Sequence, residues 1–289
     1  MSVQITTAFV KQYHDIIYML VQQKGSKLKN TVRNETQVGE FSFWDQIGAT
    51  AARKRTSRHE DTEYSNTPHA RRRVTLCDYD WADLIDKPDK VKMLIDPTAA
   101  YHKNAVMAMG RAMDDEIIAA ARGTAQTGVD GSTPVTFAAE GNSIATYAGA
   151  TIDFACLTTI KKTFLANEVN DDETLHFVHT AAQLEALLNI DKITSADYNS
   201  IRALVKGEIN SFMGMTWHNS QRLSGVATAT CYLLAYAESG ILLSTGQDIE
   251  ATIDRMPNKK NSTQVFVSMG IGATRMEGAK VISITCKDN

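Results

Sequence analysis

The chain has 289 residues, 43% of them hydrophobic and 22% charged, with a formal net charge of −3. That size can bury a core and holds one large domain or two small ones, while the slight acidity argues against a general nucleic-acid binder. No apolar run reaches the ~18 residues of a membrane span, and Met1–Val10 lacks the basic start and apolar stretch of a secretory signal. Cys77, Cys156, Cys231 and Cys286 are scattered, as expected of small buried hydrophobes in a chain that folds in a reducing cytoplasm.

The first predicted element is a helix over Phe9–Val21, with Tyr13, Ile16, Ile17, Leu20 and Val21 on one face, ended by Gly25 and Ser26. Val38 to Arg73 is then polar, with apolar residues thinning out after Ile47. A stretch of about 36 residues without a core face is rare in a compact domain unless it has a task. Phe41, Phe43 and Ile47 alternate as in a strand, and Arg71–Tyr79 reads as a returning strand. The two make a long excursion that is marginal in water unless it lies on a neighbour.

A long helix is predicted over 97–122. Asp96 suits the N-cap, Pro97 the first helical position, and Gly123 a left-handed residue past the end. Val106, Met109, Met113, Ile117 and Ala121 form its apolar stripe, and Arg111 and Asp115 are spaced to pair. Beyond a turn-rich segment, Gly128–Pro134, a second amphipathic helix is expected over Ile152–Leu165, with Lys161 and Lys162 outward. Leu175–Val178 is a short strand, Ala181–Leu188 a helix, and Thr194, Ser195 and Asp197 open another helix to about Val205. Strands are expected at Phe212–Trp217, Ala227–Ala235, Ile249–Met256, Thr263–Met269 and Val281–Cys286. The order suggests an α+β fold and an elongated subunit.

Charge is unevenly placed. Residues 53–73 hold Arg53, Lys54, Arg55, Arg58, Arg71, Arg72 and Arg73 against Glu60, Asp61 and Glu63. An acidic stretch follows, with Asp78, Asp80, Asp83, Asp86 and Asp89 offset by Lys87. A solvated loop is one reading. The other is a basic arm that docks on the acidic part of a second copy, since opposite charges on one chain suit a head-to-tail contact. The cluster lacks the interleaved aromatics of a single-strand binder.

His176 and His179 lie three apart on a strand, so they point to opposite faces, and no zinc-protease glutamate accompanies them. Gly270-Ile271-Gly272 fails the dinucleotide pattern, because the next element reads as a strand, and a strand-to-strand turn is expected there. Asp171, Asp172 and Glu173 could serve a hydrolase but read more simply as a solvated loop.

Taken in order, several stretches carry a resemblance: Gln22-Gln23-Lys24-Gly25-Ser26-Lys27-Leu28; Gly39-Glu40, Asp61-Thr62 and Arg72-Arg73; Asp78-Tyr79-Asp80-Trp81-Ala82; and Asp89-Lys90. Asp96-Pro97 before Tyr101, Gly110-Arg111 with Asp114, and Gly272-Ala273-Thr274-Arg275 complete the set. Together they resemble the major capsid protein of tailed bacteriophages, in the shell fold named after phage Hong Kong 97. The resemblance implies an N-terminal arm (1–36), an extended loop (37–76), a peripheral domain (77–167 and 246–289) with the spine helix, and an axial domain (168–245). It also implies pentamers and hexamers in an icosahedral shell around double-stranded DNA, a portal, and no catalysis, cofactor, metal or membrane. The recognisable arm begins near Met1, so any scaffold is expected to be a separate protein. An encapsulin-like compartment with a protein cargo is the alternative. Arg53, Lys54, Arg55, Arg58, Arg71, Arg72, Arg73, Asp78, Asp80 and Asp83 are the candidate contacts between copies.

Overall fold

The computed structural model describes residues 19–59, 61–86, 98–140, 142–144, 151–169, 172–188, 211–223, 225 and 230–287. In chain order the strands are β1 (Arg33–Thr36), β2 (Phe41–Ile47), β3 (His69–Thr75), β4 (Cys77–Ile85), β5 (Ala125–Thr127), β6 (Thr133–Val135) and β7 (Asn142–Ile144). Then follow β8 (Leu175–His179), β9 (Ser211–Phe212), β10 (Met215–Asn219), β11 (Cys231–Ala237), β12 (Ile241–Met256), β13 (Ser262–Arg275) and β14 (Val281–Cys286). The helices are α1 (Thr98–Arg122), α2 (Phe137–Glu140), α3 (Phe154–Ala166) and α4 (Ala181–Leu188). The expected cap at Asp96-Pro97, the helix from Thr194 and the first helix up to residue 18 lie outside the described residues; residues 19–21 are not helical.

Three sheets organise these elements. One has the order β1-β12-β13-β4, a second β7-β14-β11-β8-β10-β9, and a third β2-β3-β5-β6. The helix α1, roughly 37 Å long at about 1.5 Å per residue, packs on β13, β12 and β4 of the first sheet. Its buried face is Ala105, Met109, Met113, Ile117, Ile118 and Ala121, while Val106 is only half-buried. These side chains share one continuous core with Cys156, Leu157, Ile160 and Phe164 of α3 and the inner strands of the six-stranded sheet.

Two residues interrupt the apolar buried face of α1, Gly110 and Asp114, and both serve the arm. A Cβ at Gly110 would lie 2.5 Å from the Gly25 carbonyl carbon and 2.6 Å from the Ser26 nitrogen, so only glycine lets the arm's backbone lie directly on the helix. One turn further on, the fully buried Asp114 accepts hydrogen bonds from the Ser26 hydroxyl at 2.5 Å and the Leu28 amide at 3.0 Å. It also accepts from the Lys27 amide and the Gln23 side chain. The expected Arg111–Asp115 pair does not form. Arg111 donates to Gln22 and to the Gln23 carbonyl, and Asp115 pairs with Arg222 instead. Longer-range partners outcompete an i,i+4 pair worth only ~0.5 kcal/mol.

The helix ends differently from expectation. Gly123 is not among the positive-φ residues; its amide donates to the Ala119 carbonyl at 2.7 Å. The guanidinium of Arg275 satisfies the terminal carbonyls, donating to Ala121 at 3.2 Å and Gly123 at 2.8 Å. Gly270-Ile271-Gly272 is not a turn but lies inside β13. A Cβ at Gly272 would meet the Thr75 carbonyl oxygen at 2.1 Å, so the glycine marks a close backbone approach within a strand. The expected strand over 212–217 is a hairpin: β9 and β10 pair antiparallel around Met213 and Gly214, both with positive φ. The last strand, β14, pairs with β11 from Cys286 opposite Cys231 to Val281 opposite Tyr236. It therefore belongs to the sheet of β8 and β10 rather than to the sheet under α1. The chain passes between these sheets at the short turn Glu238–Gly240.

Gly110→Ala weighs two effects. Helix propensity favours alanine by ~1 kcal/mol, whereas forcing a methyl into packed backbone costs ~1–3 kcal/mol. We expect a net loss of stability in thermal melts and faster amide exchange over residues 22–28. A higher melting temperature would mean the arm is not seated on the helix.

Candidate inter-subunit surface

The extended hairpin has two unlike faces because β2 and β3 pair in strict register, Phe41 opposite Thr75 through Ile47 opposite His69. Odd-numbered residues of both strands therefore share one side. On that side Phe41 is 44% exposed, Phe43 45% and Ile47 71%. The Arg73 guanidinium lies 5.0 Å over the Phe41 ring, and that of Arg71 lies 5.6 Å over Phe43. Arg71 also forms a bidentate pair with Asp45, and its hydrogen bond holds the Asp45 carboxyl below the usual carboxylate range. The result is an outward ladder of aromatic and cationic groups.

The even-numbered face turns inward. Val74 packs with Leu242 and Met276, and Trp44 lies against them. Arg72, only 6% exposed, donates to the Met276 carbonyl at 3.0 Å and pairs with Glu140. Glu140 in turn accepts from Arg275, which is fully buried and also donates to the Val135 carbonyl. One carboxylate thus joins the hairpin root, the end of β13 and, through Arg275, the end of α1. Arg72 therefore serves its own chain and differs from the other candidate contacts. The sequence reading missed Glu140 as its partner, and Arg275 as the second cation on that carboxylate.

Between the strands, residues 48–59 and 61–68 are irregular, closed at the base of the loop by the Gly48 amide on the Pro68 carbonyl at 2.9 Å. Arg53 pairs with Glu63 across it, and Arg55 donates to the Ser57 carbonyl. Lys54 and Arg58 are exposed. The third sheet is completed by β5 and β6 around a turn with positive φ at Gly128 and Gly131. Pro134 sits on its outermost strand, where no ladder donor is needed.

The acidic stretch folds as β4 up to Ile85, on the outer edge of the first sheet, and Lys87 and Asp89 lie outside the described residues. Tyr79 and Trp81 lean on the core, and the Tyr79 hydroxyl donates to Glu116 of α1 at 2.8 Å. Asp78, Asp80 and Asp83 are exposed. Charge on a free edge also discourages unwanted strand pairing. Of the acids weighed for hydrolysis, Glu173 is bound by Lys280 and Ser239, Asp172 is exposed, and Asp171 lies outside the described residues. Among the described residues no cluster of three or more His, Cys, Asp or Glu is placed to hold a metal.

Comparison with known proteins gives a consistent result. The family model described as phage capsid protein matches residues 5–288. No curated protein sequence matches the chain. Among solved structures, the capsid of cyanophage P-SCSP1u aligns over 99% of this chain and 95% of its own, with TM-score 0.76 and 13% identity. The capsid of cyanophage Pam1 aligns over 98% and 97%, with TM-score 0.75 and 13% identity. A structure of Mycobacterium phage Che8 aligns over 96% and 97%, with TM-score 0.72 and 16% identity.

Removing Arg72 would leave the Glu140 carboxylate, 22% exposed, without one of its two cations. Arg72→Ala should cost roughly 3 kcal/mol, the usual scale for breaking a buried pair from one side. Arg71→Ala, on the exposed face, should leave the urea midpoint unchanged within error. Equal midpoints for the two variants would remove the root network from the folding account.

Proposed function

The chain belongs to the phage capsid protein family, and from that premise we propose that it is the major shell subunit of a tailed-phage head. Copies assemble as pentamers and hexamers into an icosahedral shell around double-stranded DNA, inside the bacterial host. The role is structural and non-catalytic. A scaffolding protein and a portal are the partners such a shell requires.

The observation that carries the reading is the outward face of the hairpin. Phe41, Phe43 and Ile47 stay exposed on a sheet whose other face is buried in its own chain. A cover from a second copy would bury these exposed apolar side chains. In the proposed division of labour, residues 1–36 are the arm, 37–76 the extended loop, 77–167 and 246–289 the peripheral domain, and 168–245 the axial domain, with β7 and β14 joining the axial strands in one sheet. The basic residues of the loop, Arg53, Lys54, Arg55 and Arg58, with Arg71 and Arg73, meet the acidic edge at Asp78, Asp80 and Asp83 of an adjacent copy. Each such contact is weak; a closed shell adds many of them, so they must break together.

Replacing Lys54, Arg55 and Arg58 by Glu should leave the subunit folded, since exposed substitutions change stability by only ~0.5 kcal/mol. Shells should then fail to form in electron micrographs. Replacing Asp78, Asp80 and Asp83 by Lys should do the same, and both sets in one chain should restore particles. Assembly of the wild type should weaken as salt shortens the screening length below ~8 Å. Normal shells from either single set would remove this contact. Particles filled with protein rather than nucleic acid would favour a compartment over a phage head.

A further inference from the structure

The face of the six-stranded sheet under the arm carries two histidines in contact. His176 of β8 and His218 of β10 lie on one side of the sheet, His176 Nδ1 being 3.1 Å from His218 Nε2. His176 is 6% exposed, and its Nε2 is buried without a hydrogen-bond partner among the described residues. Tyr236 stands directly opposite His176 on β11, with ring centroids 5.8 Å apart. Its hydroxyl shares a 2.6 Å hydrogen bond with Thr31, in the arm's short turn. On the other side, the Lys27 ammonium of the arm donates to the carbonyl of Asn219, the residue after His218, at 2.7 Å. The arm is therefore fastened on both sides of the histidine pair.

We infer that His176 and His218 form an acid-sensitive latch, which holds the arm on the six-stranded sheet while the pair carries at most one extra proton and releases it when both rings are charged. One N–H fills the 3.1 Å gap between the rings. A single added proton can go to an outer nitrogen and leave that bond intact. A second sets two N–H groups against each other. It also brings two cations beside Lys27. The other titratable groups around the pair are His179 from β8, Tyr236 from β11 and, beyond Tyr236, Asp114 of α1. Burial is the main reason that both rings resist protonation; His176 is lowered to about 4, with His218 adding to the effect. The sign follows. A histidine whose folded pKa lies below its unfolded value stabilises the fold fully above pH 6.5, and that stability is lost as pH falls from 6.5 to about 4.

The test is hydrogen exchange at the amides of Lys27, Leu28 and Thr31 in the full-length chain from pH 7 to pH 3.5, corrected for intrinsic rate. Wild type should lose protection at these amides at least tenfold more than at the core strands β11 and β13. His176→Phe with His218→Leu should hold the arm to a lower pH. Release of the double variant at the wild-type pH would show that the pair does not control the arm and overturn the latch. Full arm protection in wild type at pH 3.5 would overturn it too. Should the double variant fail to fold, NMR titration of the wild-type rings decides. Two separated protonation steps are expected, with arm release following the second; two rings titrating independently with the arm still protected would refute the coupling.

Discussion

The structure depends on one buried carboxylate. Asp114 sits in the middle of the longest helix, on the face that should be apolar, with no exposure to solvent. A carboxylate in that place is tolerable only if its oxygens are filled by donors. The arm supplies them, from two backbone amides and two side chains. Gly110, one turn earlier, removes the side chain that would hold the arm away. The arm in turn carries Leu28 and Val32 into the core and leads into β1 beside β12. The helix and the arm therefore fold together, because the buried Asp114 has its donors only when the arm is seated, and the arm carries the first sheet's β1 with it.

Much of this was legible in the sequence. The long helix, its apolar stripe, the hairpin strands and the terminal strands announce themselves by period and by bounding residues. Met109, Met113, Ile117 and Ala121 are all buried, as their spacing requires. What escaped has common physical causes. Asp114 looks like a polar break in a stripe until its partners, about 90 residues away in sequence, are known. The stretch Ile241–Leu243 is buried on both faces, so it lacks the alternation that marks a strand, and β12 was expected to begin eight residues later than it does. The turn at Met213 and Gly214 asks a methionine to adopt positive φ, for which composition gives no sign. Gly272 looked like punctuation because glycine in a strand usually is; here it answers to a carbonyl from another strand.

The basic cluster shows the same limit. Seven cations within twenty-one residues look alike in sequence, and register sorts them. Alternation along β3 sends Arg71 and Arg73 outward onto Phe43 and Phe41 and sends Arg72 inward to Glu140. One arginine of the triplet is buried in the fold while its neighbours stay half-exposed. Glu140 was invisible beforehand, since it lies at the end of a single helical turn with no pattern of its own.

The root network gives the hairpin a mechanical character. From Phe41 to Ile47 the strand runs ~20 Å at about 3.4 Å per residue, and it is gripped from mid-strand to near its far end by Trp44, Arg72 and Gln46. It is a lever with its fulcrum at Glu140. A push on the outer end becomes torque at the Glu140 carboxylate, which hands it through Arg275 to the last carbonyls of the long helix. A load on the loop beyond the strands would thus be felt at the end of the long helix.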